Sequence, residues 1–182
     1  MNTLALIAML SAGIAIFFAI QSKTSARRSG SEEKVMKGYF LLGLSGLMAK
    51  IAIADGRVSD DEAELAYRFF HEMTLSDTER AICIGNFVTA RRDGLDARDH
   101  SKRFIAYANG AACRFLYILL WKIAMADGIL DPKEDSLMQD VAKFLGLDGS
   151  IFEDLKAGKT LTCDKEQLRA AGVPESLVAV AD

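Results

Sequence analysis

The chain has 182 residues, of which 51% are hydrophobic and 26% are charged, and its formal net charge at pH 7 is −3. This composition excludes wholesale disorder and shows no basic footprint for nucleic acid, so we expect no nucleic-acid partner. Two prolines and three widely separated cysteines disfavour a sandwich of short strands, a disulfide scaffold and a zinc knuckle. We therefore expect an all-helical fold.

The N-terminal segment, residues 1–21, contains no charged side chain. Twenty helical residues span roughly 30 Å, which is the thickness of the hydrocarbon core of a bilayer. Lys23, Arg27 and Arg28 follow the segment, and no basic residue precedes it. The positive-inside rule therefore predicts one transmembrane helix with the C-terminal part of the chain in the cytoplasm. A cleaved signal peptide is the main alternative, although its basic start and its small-residue cleavage site are not evident here.

The rest of the chain divides by composition. Residues 22–34 are rich in Ser, Lys, Arg and Glu and predict a short polar linker. The helical domain is expected over residues 35–158, and residues 159–182 predict a short tail with two helical pieces. Small residues around Gly13 would let two membrane helices approach closely, which leaves a homodimer open.

An internal repeat is the clearest pattern in the sequence. KIAIADG at residues 50–56 recurs as KIAMADG at residues 122–128, an offset of 72. Matching residues at the same offset are Leu47 and Leu119, Glu62 and Glu134, Leu65 and Leu137, and Leu75 and Leu147. The repeat predicts a bundle of two pseudo-symmetric three-helix modules behind the transmembrane helix.

The first helix and the turns carry recognisable local signals. Apolar residues recur at helical spacing in the first helix: Phe40, Leu44, Leu47, Met48 and Ile51. Gly43 and Gly46 lie between them and would allow a neighbouring helix to approach closely. Gly56 suits the left-handed position that ends a helix. Ser59 with Glu62, and Asp131 with Glu134, predict capping boxes at the next helix of each repeat.

The paired motifs resemble a known family. IAIADGRVSDDE at residues 51–62 and IAMADGILDPKE at residues 123–134 are similar to the repeated pattern of the TerB-like domains of bacterial tellurite-resistance proteins. They also resemble the related N-terminal domain of the membrane-anchored J-protein DjlA. The resemblance covers residues 36–155 and implies an all-helical bundle. Neither His71 nor His100 is followed by proline, so we do not expect the activity of a J domain.

The candidate site consists of one acidic pair from each repeat, Asp55 with Glu62 and Asp127 with Glu134. If both turns lie at the same end of the bundle, the four carboxylates can converge, and such oxygen ligands suit Mg²⁺, Ca²⁺ or Mn²⁺. The resemblance also implies a metal site at these positions. Structural capping is the alternative, because both glutamates have a place in a capping box. The aspartates end helices, where the helix dipole disfavours an anion, so each needs a partner, either an amide or a cation.

The sequence contains no motif typical of a catalytic nucleophile, a phosphate-binding loop or a zinc hydrolase. The resemblance implies a non-enzymatic interaction or scaffold module at the bacterial inner membrane, with an unidentified protein partner and a link to metal or envelope stress. A metal-dependent hydrolase or phosphotransfer enzyme that uses the same four carboxylates remains the alternative.

Overall fold

The computed structural model describes residues 30–73, 75–108 and 110–159. These residues form seven helices and no strand, which confirms the predicted all-helical fold. The helices are α1 (Gly30–Ala52), α2 (Asp60–Glu72), α3 (Asp77–Ala90), α4 (Ala97–Ile105), α5 (Gly110–Ala124), α6 (Pro132–Phe144) and α7 (Ser150–Lys156). The predicted membrane anchor and the predicted tail after residue 159 lie outside this part of the chain. Within it, no helix is both long enough and apolar enough to cross a membrane.

The helix bounds repeat with the sequence. Helices α1 and α5 end at Ala52 and Ala124, and α2 and α6 cover positions that differ by the same offset of 72. The third helices differ, since α3 has 14 residues and α7 has seven. The repeat is therefore exact at the C-terminal ends of the first helices and over the whole of the second helices, although α1 has 23 residues and α5 has 15. A symmetric arrangement of complete modules stays a prediction.

Helix α1 is the central element of the bundle, and it packs against α2, α3, α4, α5 and α6. From Phe40 to Ala52 nearly every position is buried, and the five residues of the predicted apolar stripe are all at most 3% exposed. A helix that is apolar on most of its circumference must be covered by several neighbours, which explains its position. The helix begins at Gly30, so the last five residues of the predicted linker are helical.

Two glycines determine how α4 crosses α1. A Cβ atom at Gly43 would lie 2.6 Å from the backbone nitrogen of Phe104, and one at Gly46 would collide with the ring of His100. Early residues of α1 thus meet late residues of α4, as in the pair Phe40 and Phe104, whose rings are 4.6 Å apart. The two helices run antiparallel and in close contact, as the small residues predict.

A side chain caps α4 but not α7. Asp96 caps α4 by accepting a hydrogen bond from the Asp99 amide at 2.9 Å. The residue at the N-cap position of α7 is Gly149. Asp148 instead accepts a hydrogen bond from the amide of Ser150 at 2.8 Å and closes the turn one residue earlier.

Candidate functional site

The first Asp-Gly turn joins α1 to α2. Gly56 has φ = 107°, a left-handed conformation that glycine adopts without a steric penalty. Asp55 Oδ1 accepts a hydrogen bond from the amide of Arg57 at 2.9 Å, and Asp55 Oδ2 lies 3.3 Å from Arg57 Nε. Asp55 is therefore stabilised inside its own turn, both by the backbone amide of Arg57 and by the guanidinium group of Arg57.

The second turn, between α5 and α6, repeats this geometry. Gly128 has φ = 85°, and Asp127 Oδ1 accepts a hydrogen bond from the amide of Ile129 at 2.9 Å. Each aspartate at the end of a helix was expected to need a partner, because the helix dipole disfavours a negative charge there. In both repeats this partner is a backbone amide of the turn itself. Neither aspartate needs a metal ion to explain its place in the sequence.

Helix α2 begins with the predicted capping box. Ser59 Oγ accepts a hydrogen bond from the amide of Glu62 at 3.2 Å, and Glu62 Oε2 accepts one from the amide of Ser59 at 2.7 Å. The Ser59 hydroxyl also donates to Glu62 Oε2 at 2.8 Å. One oxygen of Glu62 is therefore fully used in capping, and its side chain is held close to the end of the helix.

Helix α6 begins in the same way, with Pro132 at its first position. Glu134 Oε2 accepts a hydrogen bond from the amide of Asp131 at 3.0 Å, and Asp131 Oδ1 accepts one from the amide of Lys133 at 2.8 Å. Both predicted capping boxes are confirmed. The local roles of the two glutamates were correctly inferred from spacing alone.

The two capping glutamates also meet each other, which is the central feature of the site. Glu62 and Glu134 are only 6% and 5% exposed, and their carboxyl groups lie close enough for each to affect the pKa of the other. Burial raises the pKa of both, and with the nearby charges of Glu62 and Asp55 it raises the pKa of Glu134 to about 7. Two adjacent buried carboxyl groups cannot both ionise without a penalty, so ionisation of Glu134 is disfavoured below about pH 7.

One oxygen of this pair has no fixed donor. Glu62 Oε1 is buried and has no hydrogen-bond partner among the described residues. A proton shared with Glu134 would supply a donor, whereas full ionisation leaves the oxygen unsatisfied in a buried place. The capping boxes therefore hold in place a pair of carboxyl groups that is not fully satisfied by the protein itself.

The two turns lie at the same end of the bundle. Lys133, at the start of α6, donates from Nζ to the carbonyl oxygen of Asp55 at 3.4 Å. The predicted convergence of acidic residues is thus realised for Glu62 and Glu134, with Asp55 close enough to add to their field. In the described part of the chain, however, no three acidic, His or Cys side chains are arranged to hold a metal ion. A metal site made of all four carboxylates stays a prediction.

A second polar cluster, which the sequence analysis missed, lies between α1 and α4. Lys50 Nζ is 2.9 Å from Asp93 Oδ1, and His100 Nε2 is 3.6 Å from Asp93 Oδ2. Although burial alone would raise the pKa of Asp93, its hydrogen bond to Lys50 and the charge of Lys50 keep that pKa below its usual value. His100 is completely buried, and burial lowers its pKa, so the ring is neutral at pH 7.

The signal for this cluster was present in the sequence. The buried residues of α4 are Ala97, His100, Ser101 and Phe104, spaced as one face of a helix. That spacing places His100 on the core face, where a polar ring needs an explanation. By contrast, His71 is exposed, as its position near a charged helix end indicates.

One known family model matches most of the helical bundle. The family model described as tellurite resistance protein TerB matches residues 41–157, which cover both Asp-Gly turns and the helices around them. Comparisons with curated proteins and with solved structures give no significant match. The similarity to the J-protein domain stays a prediction. Because the TerB family model matches more than half of the sequence, including the residues of the glutamate pair, the chain belongs to the TerB family.

Proposed function

We propose that this chain is a non-enzymatic TerB module, tethered by residues 1–21 to the cytoplasmic face of a bacterial inner membrane. Its paired turns bind a divalent cation, and its surface recruits a protein partner under metal or envelope stress. The name of the matching family, tellurite resistance protein, supports the stress link. The buried pair of Glu62 and Glu134 supports cation binding.

The chemistry of the glutamate pair suits exchange of a proton for a cation. A shared proton and a bound cation both relieve the repulsion between two buried carboxylates. Glu62 Oε1 has no donor within the described structure, so it is free to become a ligand without breaking the capping box, which uses Oε2. Asp55 makes the site more negative, which strengthens the attraction for a cation.

The number of available carboxylates bears on the choice of metal. The two glutamates lie close enough to each other to share a cation, whereas one oxygen of Asp55 and one of Asp127 already accept hydrogen bonds from the amides of Arg57 and Ile129. Mg²⁺ retains several waters and is commonly held by one or two carboxylates, whereas Ca²⁺ prefers six to eight oxygen ligands. We therefore expect Mg²⁺ or Mn²⁺ to bind better than Ca²⁺.

Calorimetric titration of the full chain in detergent micelles tests this proposal. Mg²⁺, Mn²⁺ and Ca²⁺ should be titrated at about pH 6 and about pH 8, on either side of the raised pKa of Glu134. We expect stronger binding at the higher pH. At the lower pH, binding should release a proton, which appears as a dependence of the heat on the buffer.

A matched pair of variants separates the site from general effects. Glu134→Gln keeps an oxygen for the capping box but removes the charge, and it should abolish binding. Glu79→Gln is the control, because Glu79 occupies the same position in the capping box of α3 but is not part of the pair. No binding of any of the three cations at either pH would refute the metal part of the proposal.

The tether requires a separate measurement. The full chain should sediment with membranes, resist extraction by alkaline carbonate and dissolve in detergent. Recovery in the soluble fraction would refute the tether but would not affect the cation site, since all residues of that site belong to the helical bundle.

A further inference from the structure

We propose that one corner of the bundle docks on an anionic lipid surface. This α1–α4 corner consists of Val35 and Tyr39 on α1, Ile105 at the end of α4, and Tyr107 just after it. Lys102 and Arg103 on the last turns of α4 lie beside it. The proposal rests on the membrane tether of the proposed function and adds a second, direct contact with the bilayer.

The apolar residues of the corner are exposed and lie together. Val35 is 54% exposed, Tyr39 46% and Ile105 41%, and these are three of the six large apolar side chains exposed in the described structure. The ring of Tyr39 stacks on that of Tyr107 at 5.9 Å. The antiparallel packing of α1 and α4 thus joins the two ends into one surface. Tyrosine and aliphatic side chains together are typical of protein surfaces in the lipid headgroup region.

The charge around the corner is opposite to that of the whole chain. Residues 102–107 contain two basic residues and no acidic residue, and residues 30–39 contain two of each, although the net charge of the chain is −3. Lys102 is exposed and pairs only with Asp99 on its own helix, at 3.3 Å. Basic residues near an anionic membrane surface each contribute about 1 kcal/mol to binding. This local excess favours anionic lipid over a neutral bilayer.

The position of the corner along the chain also favours a membrane as the partner. Eight residues, 22–29, separate the uncharged segment from the start of α1 at Gly30, and they span at most roughly 28 Å. Val35 lies only five residues into α1, about 8 Å along its axis. The Asp-Gly turns lie beyond the other end of α1, roughly 33 Å from its start. Docking at the corner would therefore direct the turns away from the membrane, where ions and partners have access.

A second copy of the chain is a less suitable partner for this surface. Stable protein interfaces bury about 800 Å² on each partner, more than four side chains at the corner can supply. A bilayer needs no complementary shape, and the tether keeps it within reach at all times. A few apolar and basic side chains are then sufficient for docking.

Site-directed spin labelling of the full chain in vesicles tests the proposal. Ile105→Cys places a label at the corner, and Ile129→Cys places a control label on an exposed residue of the second Asp-Gly turn. Both should be made with Cys163→Ser, while Cys83 and Cys113 are buried and protected from the reagent. The vesicles contain phosphatidylcholine alone or phosphatidylcholine and phosphatidylglycerol in equal amounts.

Docking predicts different accessibilities for the two labels. With phosphatidylglycerol present, the label at position 105 should become severalfold more accessible to oxygen relative to a water-soluble nickel complex. The label at position 129 should stay accessible to nickel in both kinds of vesicle. High salt should reverse the change at position 105, because the attraction to lipid is partly electrostatic.

A charge reversal provides a second, independent readout. Lys102→Glu should reduce the equilibrium constant for docking by about fivefold or more, as expected for a loss of about 1 kcal/mol per charge. Lys143→Glu is the matched control, because Lys143 also pairs with an aspartate three residues earlier, Asp140, and is also exposed. It lies near the opposite end of α4, where Arg98 stacks on the neighbouring residue Phe144. This control should leave docking unchanged.

The possible failures are distinguishable. If the chain stays with the vesicles but the label at position 105 is as accessible to nickel as the one at position 129, docking is refuted and the tether stands. If the chain does not associate with vesicles at all, the tether itself is refuted, and docking fails with it. If labels at position 105 instead show spin coupling between chains, the partner is a second copy and the lipid proposal is wrong.

Discussion

Two glycines of the same helix should respond in opposite ways to substitution by alanine. At Gly43, an added Cβ would lie 2.6 Å from the backbone nitrogen of Phe104 and 2.9 Å from its Cα atom. The obstructing atoms belong to the backbone of α4, so a change of rotamer cannot relieve the contact. At Gly38, an added Cβ would meet no atom within 4 Å. Gly38→Ala is therefore a control for the effect of alanine on the helix itself.

The size of the difference follows from two opposing terms. Alanine in place of glycine in a helix interior stabilises by about 1 kcal/mol, and at Gly38 nothing opposes this gain. At Gly43 the same gain is opposed by overpacking, which costs about 1–3 kcal/mol and more where backbone must move. We expect Gly38→Ala to raise the free energy of unfolding by about 0.5–1 kcal/mol and Gly43→Ala to lower it by about 1–2 kcal/mol.

Thermal unfolding followed by circular dichroism is a suitable assay. For a chain of this size, 1 kcal/mol corresponds to a shift in Tm of about 2–4 °C. Tm should therefore rise by a few degrees for Gly38→Ala and fall by a similar or larger amount for Gly43→Ala. If Gly43→Ala were as stable as Gly38→Ala, the close packing of α4 on this face of α1 would be refuted.

Three further variants test the local chemistry of the site and the core. The pKa of Glu134 rises from 4.5 to about 7 on folding, so the folded state binds this proton more tightly than the unfolded state. The free energy of unfolding of the wild type should therefore decrease as the pH rises from about 4.5 to about 7. Glu134→Gln should remove this decrease, as measured by urea unfolding at several pH values. Asp93→Asn should cost about 1–3 kcal/mol by removing the negative charge that pairs with Lys50, and NMR should show a lower pKa for His100 because the same charge is lost. Ser59→Ala should cost about 1 kcal/mol through loss of the cap, and an unchanged midpoint of chemical unfolding would contradict its structural role.

Local signals predicted most of the fold. The caps at Ser59 and Asp131 and the left-handed glycines at positions 56 and 128 depend on a few neighbouring residues, so their spacing determines them. The exact starts of α1 and α7 were less predictable, since helix ends depend weakly on any single residue. The burial of α1 was also predictable, because its apolar positions cover most of its circumference.

The spacing of the four acidic residues of the candidate site did not predict which of them have hydrogen-bond partners nearby. Spacing predicted a capping role for both glutamates and an unidentified partner for each aspartate. The structure gives the aspartates partners within their own turns, and it leaves one oxygen of Glu62 without a partner among the described residues. The reason is that the contact between Glu62 and Glu134 joins residues 72 positions apart and depends on how the two turns pack. For His100, helical spacing indicated the core face of α4, but its contact with Gly46 on α1 depends in the same way on how distant parts of the chain pack.

The pairing of the two turns is tested most directly by carbon NMR titration of the Glu134 carboxyl group. In the wild type, without divalent cations, this group should titrate with a pKa of about 7. In Glu62→Gln the pKa should be lower, because the charge of the neighbouring carboxylate is removed while burial remains. A Glu134 that titrates near 4.5 in both proteins would show that the two glutamates do not share a buried site, and would contradict the paired-turn structure.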